Sequence, residues 1–376
     1  MEAHEATGVL GVQPRDLHPF RDIDPFNAIT VAGYICRRPD HRYGALVIFY
    51  ADGPTEPQVV YGTPKMGYPF DRAGRWAFPP AARLEAYEKL DGTNVLAFSY
   101  RTASGKTVVS YKTRLMPFLG DRRMGSFLTM WRRLLDENPG IEGWVRETRL
   151  SASFEMYGSA NRHLIDYRVP LAAAFLFAIT GDGKHLPPSA LPTTPAPPAP
   201  LLLAVSSPSD LRSLYERQRE EMGRQLQETD EGLAGMEGAV WYLLTPGGTW
   251  RLLKLKAPQV EEIHFAEGAH ISREAVRHAC YRAMEDGALT VQAVEQLLLE
   301  DWEEREVRGA VALIERVVVE VEREEAFRQE VLAAYRSLGL RLQDDRGAVM
   351  RALSARFPKA MMRRVYRIVA DYEGLP

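Results

Sequence analysis

The sequence predicts an α+β protein with a β-rich N-terminal module (1–80), a central domain of antiparallel sheets with helices (81–258) and an all-helical C-terminal domain (259–376). Two observations carry this prediction. Short runs rich in β-branched and aromatic residues, separated by Gly, Pro and Asp, dominate the chain as far as Lys256. After Pro258 the apolar residues recur at helical spacing, and several of these segments begin after Ser, Thr or Asp.

The N-terminal module contains runs that are typical of strands, and they are broken by Arg-Pro-Asp-His and Asp-Gly-Pro. These runs are 28–34, 45–50 and 59–61. A connector rich in Gly and Pro, 67–80, then leads to Glu85–Lys89.

The central domain begins with two predicted strands around Ala103-Ser104-Gly105, which we interpret as a hairpin turn. A helix is predicted over 127–137, and 209–228 is the second predicted helix. The Pro-rich segment 186–200 is expected to be a semi-rigid or mobile insertion, because so many prolines cannot continue a helix or a strand. The predicted strands are 95–100, 107–111, 150–157, 172–179, 238–244 and 250–256.

Composition restricts the class of protein without identifying it. The 376 residues carry a net charge of −3, so a nucleic-acid-binding surface would have to be local. Only Cys36 and Cys280 occur, without metal-ligand spacing, so neither a disulfide framework nor a zinc site is expected. We find no secretory signal pattern and no apolar run long enough to span a bilayer, and we therefore expect a cytoplasmic protein.

The segment Glu88-Lys89-Leu90-Asp91-Gly92-Thr93-Asn94 carries the chemistry. Lysine is a nucleophile only when deprotonated, so a covalent lysine needs neighbours that adjust its pKa. Gly92 allows backbone to come close to a ligand, and Asn94 offers both a donor and an acceptor to a sugar hydroxyl. Alone, this short pattern fits a surface turn between strands equally well.

Four further segments follow in a fixed order. They are Phe154–Gly158, Phe175–Ile179, Glu237–Val240 and Lys254–Lys256. Together with Lys89–Asn94, they resemble the five motifs of the covalent nucleotidyltransferase superfamily, which comprises ATP-dependent DNA ligases, RNA ligases and mRNA capping enzymes. The resemblance covers about residues 85–257, and it implies a ligase-type nucleotidyltransferase core.

The resemblance assigns roles residue by residue. Lys89 is the nucleophile that becomes nucleotidylated, and Lys254 and Lys256 stabilise charge on the moving phosphates. Glu237 is the expected ligand of Mg²⁺, with Mn²⁺ as an alternative metal. The other expected nucleotide-binding residues are Glu88, Asn94, Arg114, Glu155 and Phe177.

Each of these residues also has a simpler interpretation. Glu155 could be a solvated charge at a strand end, and Glu237 a turn residue between Gly235 and Gly238. Phe177 fits core packing better than purine stacking, and Arg114 could simply be solvated. Lys254 and Lys256 lie two residues apart in a strand and so share one face, but they matter only if that face binds an anion.

Two observations favour the RNA ligase branch. Thr93 and Asn94 give the Gly-Thr-Asn ending that is familiar from RNA ligases, whereas the other branches usually have Arg at that position. Those branches usually continue into an OB-fold barrel, whereas here a helical segment follows Lys256. The pattern most resembles phage-type nick-sealing RNA ligases. The alternatives are a capping-type guanylyltransferase, a DNA ligase, and a non-catalytic nucleic-acid-binding protein on a ligase scaffold.

The C-terminal helices are predicted over 272–285, 290–305, 307–337 and 347–372. Their last part lacks acidic residues between Arg346 and Ala370. Its basic residues could contact RNA, with DNA or an RNA/DNA hybrid as alternatives. They could equally pair with the acidic stretch 295–330, within the chain or across a homodimer. The candidate contacts are Arg351, Arg356, Lys359, Arg363, Arg364 and Arg367.

Overall fold

A computed structural model describes residues 3–38, 40–64, 66–70, 75–122, 125–161, 163–229, 232–258, 271, 273–285, 289–299, 302 and 304–373. Its contacts divide the chain into two compact units, Met1–His264 and Phe265–Pro376. The predicted boundary between 258 and 259 borders residues 259–270, which lie outside the described residues. Within the described part, no helix has the length and apolar character needed to cross a bilayer.

The first unit begins with helix α1 and a four-stranded antiparallel sheet in the order β1-β2-β3-β4. Asp24, at the end of β1, is fully buried and accepts a hydrogen bond from Tyr100 Oη at 2.7 Å. This contact fixes the N-terminal sheet against the central sheet, because a buried carboxylate must keep its donors. The element bounds are α1 Ala3–Leu10, β1 Leu17–Asp24, β2 Ile29–Cys36, β3 Leu46–Ala51 and β4 Pro54–Val60.

Two larger antiparallel sheets follow in this unit, together with two small two-stranded sheets, β8-β9 and β14-β15. The central sheet has the order β12-β11-β10-β6-β7, and the second sheet, which we call the Lys89 sheet, has the order β13-β5-β16-β17. The strand bounds are β5 Arg83–Lys89, β6 Thr93–Arg101, β7 Thr107–Lys112, β8 Asp121–Arg122, β9 Gly125–Ser126, β10 Ser151–Tyr157, β11 Ala172–Ile179, β12 His185–Leu186, β13 Leu201–Ser206, β14 Gln227–Thr229, β15 Gly232–Ala234, β16 Gly238–Leu244 and β17 Trp250–Lys256.

The inner faces of these two sheets pack against each other in one apolar cluster. Tyr87 and Tyr242 of the Lys89 sheet meet Phe98 and Phe177 of the central sheet there, and Tyr242 Oη donates to the Leu176 carbonyl at 3.1 Å. Helices cover the outer faces: α2 Phe127–Glu137 and α3 Gly140–Thr148 pack on the central sheet, and α4 Leu211–Gln225 packs on the Lys89 sheet.

The Pro-rich segment differs from the expected semi-rigid or mobile insertion. Residues Pro197 and Pro200 accept main-chain hydrogen bonds from Phe175 and Glu88, at 2.9 and 2.8 Å. Ser189 Oγ donates to the buried carboxylate of Glu85 at 2.6 Å. Proline cannot donate a main-chain hydrogen bond but its carbonyl accepts, so the segment packs along sheet edges without itself becoming a regular strand.

The regular elements described in the second unit are helices. The predicted helix 347–372 is wrong as a single element: the chain breaks around Phe357 and Pro358, because proline cannot continue a helix. Ser272 and residues 300, 301 and 303, which two other predictions included, lie outside the described residues. The helices are α5 Arg273–Glu285, α6 Val291–Leu298, α7 Glu304–Gly309, α8 Val311–Arg336, α9 Arg346–Ser354 and α10 Met362–Glu373. The predicted α+β class is confirmed.

Candidate active site

The site is built on one row of the Lys89 sheet. Lys89 at the end of β5 pairs with Gly238 at the start of β16, and Gly238 pairs with Lys256 at the end of β17. The two lysines therefore flank a position without a side chain. A Cβ at position 238 would lie 2.0 Å from the Leu255 carbonyl oxygen, so only glycine fits there.

Glu237 connects the two lysines. Lys89 Nζ donates to Glu237 Oε2, and Lys256 Nζ lies 3.0 Å from Glu237 Oε1. The carboxylate is 3% exposed, whereas the lysine side chains are 21% and 15% exposed. A buried carboxylate is tolerated when its charge is compensated, and two ammonium groups supply that compensation here.

The pKa values of this cluster follow from its charges. Burial alone would raise the pKa of Glu237, but Lys89 and Lys256 outweigh it and lower that pKa to about 2. Burial would lower the pKa of Lys89, but the Glu237 charge outweighs it, and the Lys89 pKa is raised. Lys89 is thus held as an ammonium ion, and it can attack only after it loses this proton.

Glu155 and Asn94 face this cluster from the central sheet. They are register partners on β10 and β6, so their side chains lie on the same face. Burial raises the pKa of Glu155 to about 8, against the opposing effect of Lys89. Glu155 is therefore mostly protonated at neutral pH.

This raised pKa gives a testable pH dependence. The folded protein binds the Glu155 proton more tightly than the unfolded chain, so stability falls as the pH rises from about 4.5 to about 8. The slope for one proton is at most about 1.4 kcal/mol per pH unit. Glu155→Gln should flatten this part of a curve of unfolding free energy against pH, measured by urea denaturation. A slope equal to that of the wild type would contradict the raised pKa.

Asn94 presents only an acceptor to the site. Its Nδ2 donates to Ser153 Oγ at 2.9 Å and to the Phe154 carbonyl at 3.0 Å, and the carbonyl fixes which amide atom is nitrogen. The Oδ1 atom is buried and has no hydrogen-bond partner among the residues that the structure describes. A ligand that satisfies it must bring a donor, such as a hydroxyl group.

Lys254 lies on the same face as Lys256, in agreement with the strand spacing. Its Nζ is 4.4 Å from the centre of the Tyr68 ring, a cation–π distance. Lys254 pairs with Val240 in the register of β16 and β17, two residues along the strands from the row formed by Lys89, Gly238 and Lys256.

Phe177 is part of the core in this structure. Its ring is 2% exposed and packs edge-on against His185 and Tyr242, with ring centres 5.3 and 6.4 Å away. Core packing accounts for this burial, and a stacking role of Phe177 stays a prediction.

Arg114 and Glu88 border the cluster less directly. The charge of Arg114 acts on the Glu155 carboxyl, and no described residue forms a hydrogen bond with the buried Arg114 Nε. Glu88 precedes Lys89 in β5, so the two side chains leave opposite sides of the strand. Burial raises the pKa of Glu88.

In the sequence, Lys112 lies two residues before the expected phosphate contact Arg114, and its burial was not predicted. Lys112 is fully buried, and its Nζ donates to the carbonyls of Gly44, Thr113 and Arg114 at 3.0, 2.8 and 2.8 Å. Burial, with a smaller effect of Arg114, lowers its pKa to about 7. All three N–H donors are used, so this amine anchors the chain and is not placed to attack a ligand.

Asp91 and Gly92, which follow Lys89 in the sequence, stabilise the local fold. Asp91 Oδ2 accepts from the amides of Leu164 and Ile165 at 2.6 and 2.8 Å. A Cβ on Gly92 would lie 2.2 Å from the Met156 carbonyl oxygen. The close approach predicted for this glycine is therefore made by the neighbouring strand β10.

The C-terminal basic residues are all exposed. The α8 carboxylates Glu320, Glu324 and Glu325 form ion pairs with Arg273, Arg277 and Arg328. These three ion pairs use arginines outside the basic stretch. Arg364 of that stretch lies over the Phe327 ring at 4.9 Å, and its charge adds to that of Arg277 in lowering the pKa of Glu324.

Glu237 is the residue that we expect to hold a metal ion in this site. Within the described residues, no group of three or more His, Cys, Asp or Glu side chains could hold a metal ion. Mg²⁺ needs only one or two carboxylates when substrate phosphates supply further oxygens, and Glu237 supplies one. Both Glu237 oxygens contact ammonium groups, so a cation there must displace a lysine.

No protein-family model and no curated protein matches the chain. Solved structures similar to it include an archaeal ATP-dependent RNA ligase, with 16% identity, a TM-score of 0.47, and coverage of 89% of this chain and 83% of that chain. A Naegleria gruberi RNA ligase with pyrophosphate has 16% identity, a TM-score of 0.35, and coverage of 50% and 53%. A putative ATP-dependent DNA ligase from Aquifex aeolicus has 13% identity, a TM-score of 0.40, and coverage of 95% and 89%.

These solved structures carry descriptions as ligases, the class of enzyme that the sequence motifs resemble.

Proposed function

We propose that this protein is an ATP-dependent RNA ligase that joins 3′-OH and 5′-phosphate ends through a lysyl–AMP intermediate on Lys89. The observation that carries the proposal is the cluster of Lys89, Glu237 and Lys256 at the strand ends of the Lys89 sheet. Asn94 and Glu155 face this cluster from the central sheet. This cluster combines a candidate nucleophile, a second cation for phosphate and polar groups for a sugar.

In the first step, deprotonated Lys89 Nζ attacks the α-phosphate of ATP, a P–N bond forms, and the bond to pyrophosphate breaks. The triphosphate competes with Glu237 for the Lys256 ammonium, while Lys254 lies on the same face. Glu237 would hold Mg²⁺, or Mn²⁺, which neutralises phosphate charge when it is bound. These groups act by positioning and by charge compensation.

In the later steps, the RNA 5′-phosphate attacks lysyl–AMP and forms an AMP-capped end, which restores Lys89. The 3′-OH of the second end then displaces AMP and forms the phosphodiester. Asn94 Oδ1 accepts a hydroxyl hydrogen bond, and Glu155 is the second candidate for the ribose. We assign Arg114 to phosphate, Phe177 to the purine, and Glu88 to the border of the nucleotide site.

The test is incubation with radiolabelled ATP or GTP and Mg²⁺, followed by a denaturing gel and by assays of RNA and DNA end joining. We expect a labelled adduct with ATP and sealing of RNA ends. A label only with GTP and no joining would identify a capping-type guanylyltransferase, and sealing of DNA alone a DNA ligase. If neither nucleotide labels the chain, the alternative of a non-catalytic nucleic-acid-binding protein gains support.

The exposed basic residues of the C-terminal unit are proposed to bind the RNA backbone. Replacing several of them with Gln should weaken RNA binding and reduce its salt dependence, because fewer counterions are released. Adduct formation with ATP should be retained, because that step involves no RNA. The set is Arg351, Arg356, Lys359, Arg363, Arg364 and Arg367.

This prediction is checked by RNA affinity at several salt concentrations and by sealing, measured on one preparation. Unchanged affinity and sealing would assign these residues to packing or to a homodimer through the C-terminal helices, and sedimentation of the same protein would separate those two outcomes.

A further inference from the structure

The connector before β5 extends the Lys89 sheet. The Lys254 amide donates to the Gly67 carbonyl at 2.9 Å, and Gly67 forms a parallel bridge with Leu253. Main-chain pairing therefore fixes Gly67 at the outer edge of β17, the strand that carries Lys254 and Lys256. Residues from outside the motif region thus border the candidate nucleotide site.

The chain is also fixed shortly before the connector. The side chains of Thr63 and Ser153 are both buried, and their hydroxyl oxygens are 3.2 Å apart. Ser153 Oγ in turn accepts a hydrogen bond from Asn94 Nδ2 at 2.9 Å. The chain that leads into the connector is therefore held at the central sheet, and Gly67 is held at the Lys89 sheet directly before Tyr68.

Tyr68 is the connector residue that meets the site. Lys254 Nζ lies 4.4 Å from the centre of its ring, and the same ring stacks on Phe70, with centres 5.0 Å apart and planes at 15°. Lysine has a long flexible side chain, so holding its ammonium group at one place costs conformational entropy. An aromatic face attracts this group by its quadrupole, and unlike a carboxylate it adds no negative charge next to a phosphate.

We propose that Tyr68 is a positioning residue, which holds the Lys254 ammonium for the phosphate-transfer step. This inference rests on the proposed function. It assigns to the N-terminal part of the chain a role in nucleotidyl transfer, in addition to its packing against the central sheet.

The test is single-turnover adduct formation with ATP and Mg²⁺ on the full chain, with the rate constant and the amplitude recorded separately. Tyr68→Leu should lower the rate constant at saturating ATP by about twofold to thirtyfold, the range of a cation–π contact. The amplitude should stay near that of the wild type, because it reports the folded fraction. Tyr68→Phe should restore the rate, because phenylalanine keeps the ring face.

Tyr50→Leu is the matched control. Tyr50 also lies under a cation, with Arg21 Cζ at 4.8 Å from its ring centre, but it belongs to the N-terminal sheet. The Tyr50→Leu substitution should leave the rate constant of adduct formation unchanged. The inference is overturned if Tyr68→Leu has the wild-type rate, if Tyr68→Phe is as slow as Tyr68→Leu, or if only the amplitude falls.

The two proposals fail in different ways. If the wild-type chain forms no adduct, the proposed function fails, and the role of Tyr68 fails with it. If the wild type forms an adduct and Tyr68→Leu does so at the same rate, only the inference about Tyr68 fails.

Discussion

Lys89→Ala is expected to abolish the covalent nucleotide adduct and to leave the fold intact. The side chain supplies the nucleophilic nitrogen, and no change of ATP or metal concentration can replace it. Glu237 keeps its contact with Lys256 in this variant, so the buried carboxylate retains one compensating charge. The measurement is labelling with radioactive ATP, with circular dichroism and a thermal melt on the same sample.

Two further substitutions make this result specific. Lys89→Arg should also form no adduct, because a guanidinium group is effectively never deprotonated, although it can keep the ion pair with Glu237. Lys184→Ala removes an exposed lysine that pairs with Asp182, and it should label like the wild type. Wild-type labelling of Lys89→Ala would refute the proposed function as a whole.

Glu237→Gln should have the second largest effect, because it removes the charge between two lysines. We expect adduct formation to fall by at least about a hundredfold, as for other groups that organise charge in a transition state. More ATP alone should not restore it. The free energy of unfolding should fall by about 1–3 kcal/mol at neutral pH, less than for fully buried ion pairs because both lysines are partly exposed.

The pH dependence gives an independent check on Glu237. Its pKa is lowered to about 2 from an ordinary 4.5, so it stabilises the folded state above about pH 4.5 and loses this effect as the pH falls towards 2. Glu237→Gln should therefore lack that part of the acid destabilisation. Labelling equal to the wild type at every Mg²⁺ concentration would reduce Glu237 to a structural residue.

The sequence predicted most regular elements because their patterns are local. Predicted strands 172–179, 238–244 and 250–256 and helix 127–137 have the bounds of β11, β16, β17 and α2. Strand alternation also placed Lys254 and Lys256 on one face. Strand β1 was missed because it contains Pro and Asp, and strand β13 because it directly follows the Pro-rich segment and pairs with β5, which is distant in sequence.

The site was predicted less completely than the fold. Motif order identified Lys89, Glu155 and Glu237, but spacing along a chain cannot reveal that Glu237 contacts both lysines. The contact of Lys112 with the Gly44 carbonyl and the contact of Lys254 with the Tyr68 ring both join residues that are far apart in sequence, and neither has a local sequence signal. Asn94 was predicted to offer a donor and an acceptor, whereas the structure uses its donors internally.

Gly238 and its neighbour Lys89 should differ in the substitutions that they tolerate. A library selected only for folded protein would retain Gly238, since even alanine collides with the Leu255 carbonyl. The same selection would accept many residues at position 89, where the side chain is partly exposed. Only a second selection, for catalysis, would require lysine at position 89. Two neighbouring positions of one sheet would therefore be constrained for different reasons, position 238 by folding and position 89 by catalysis.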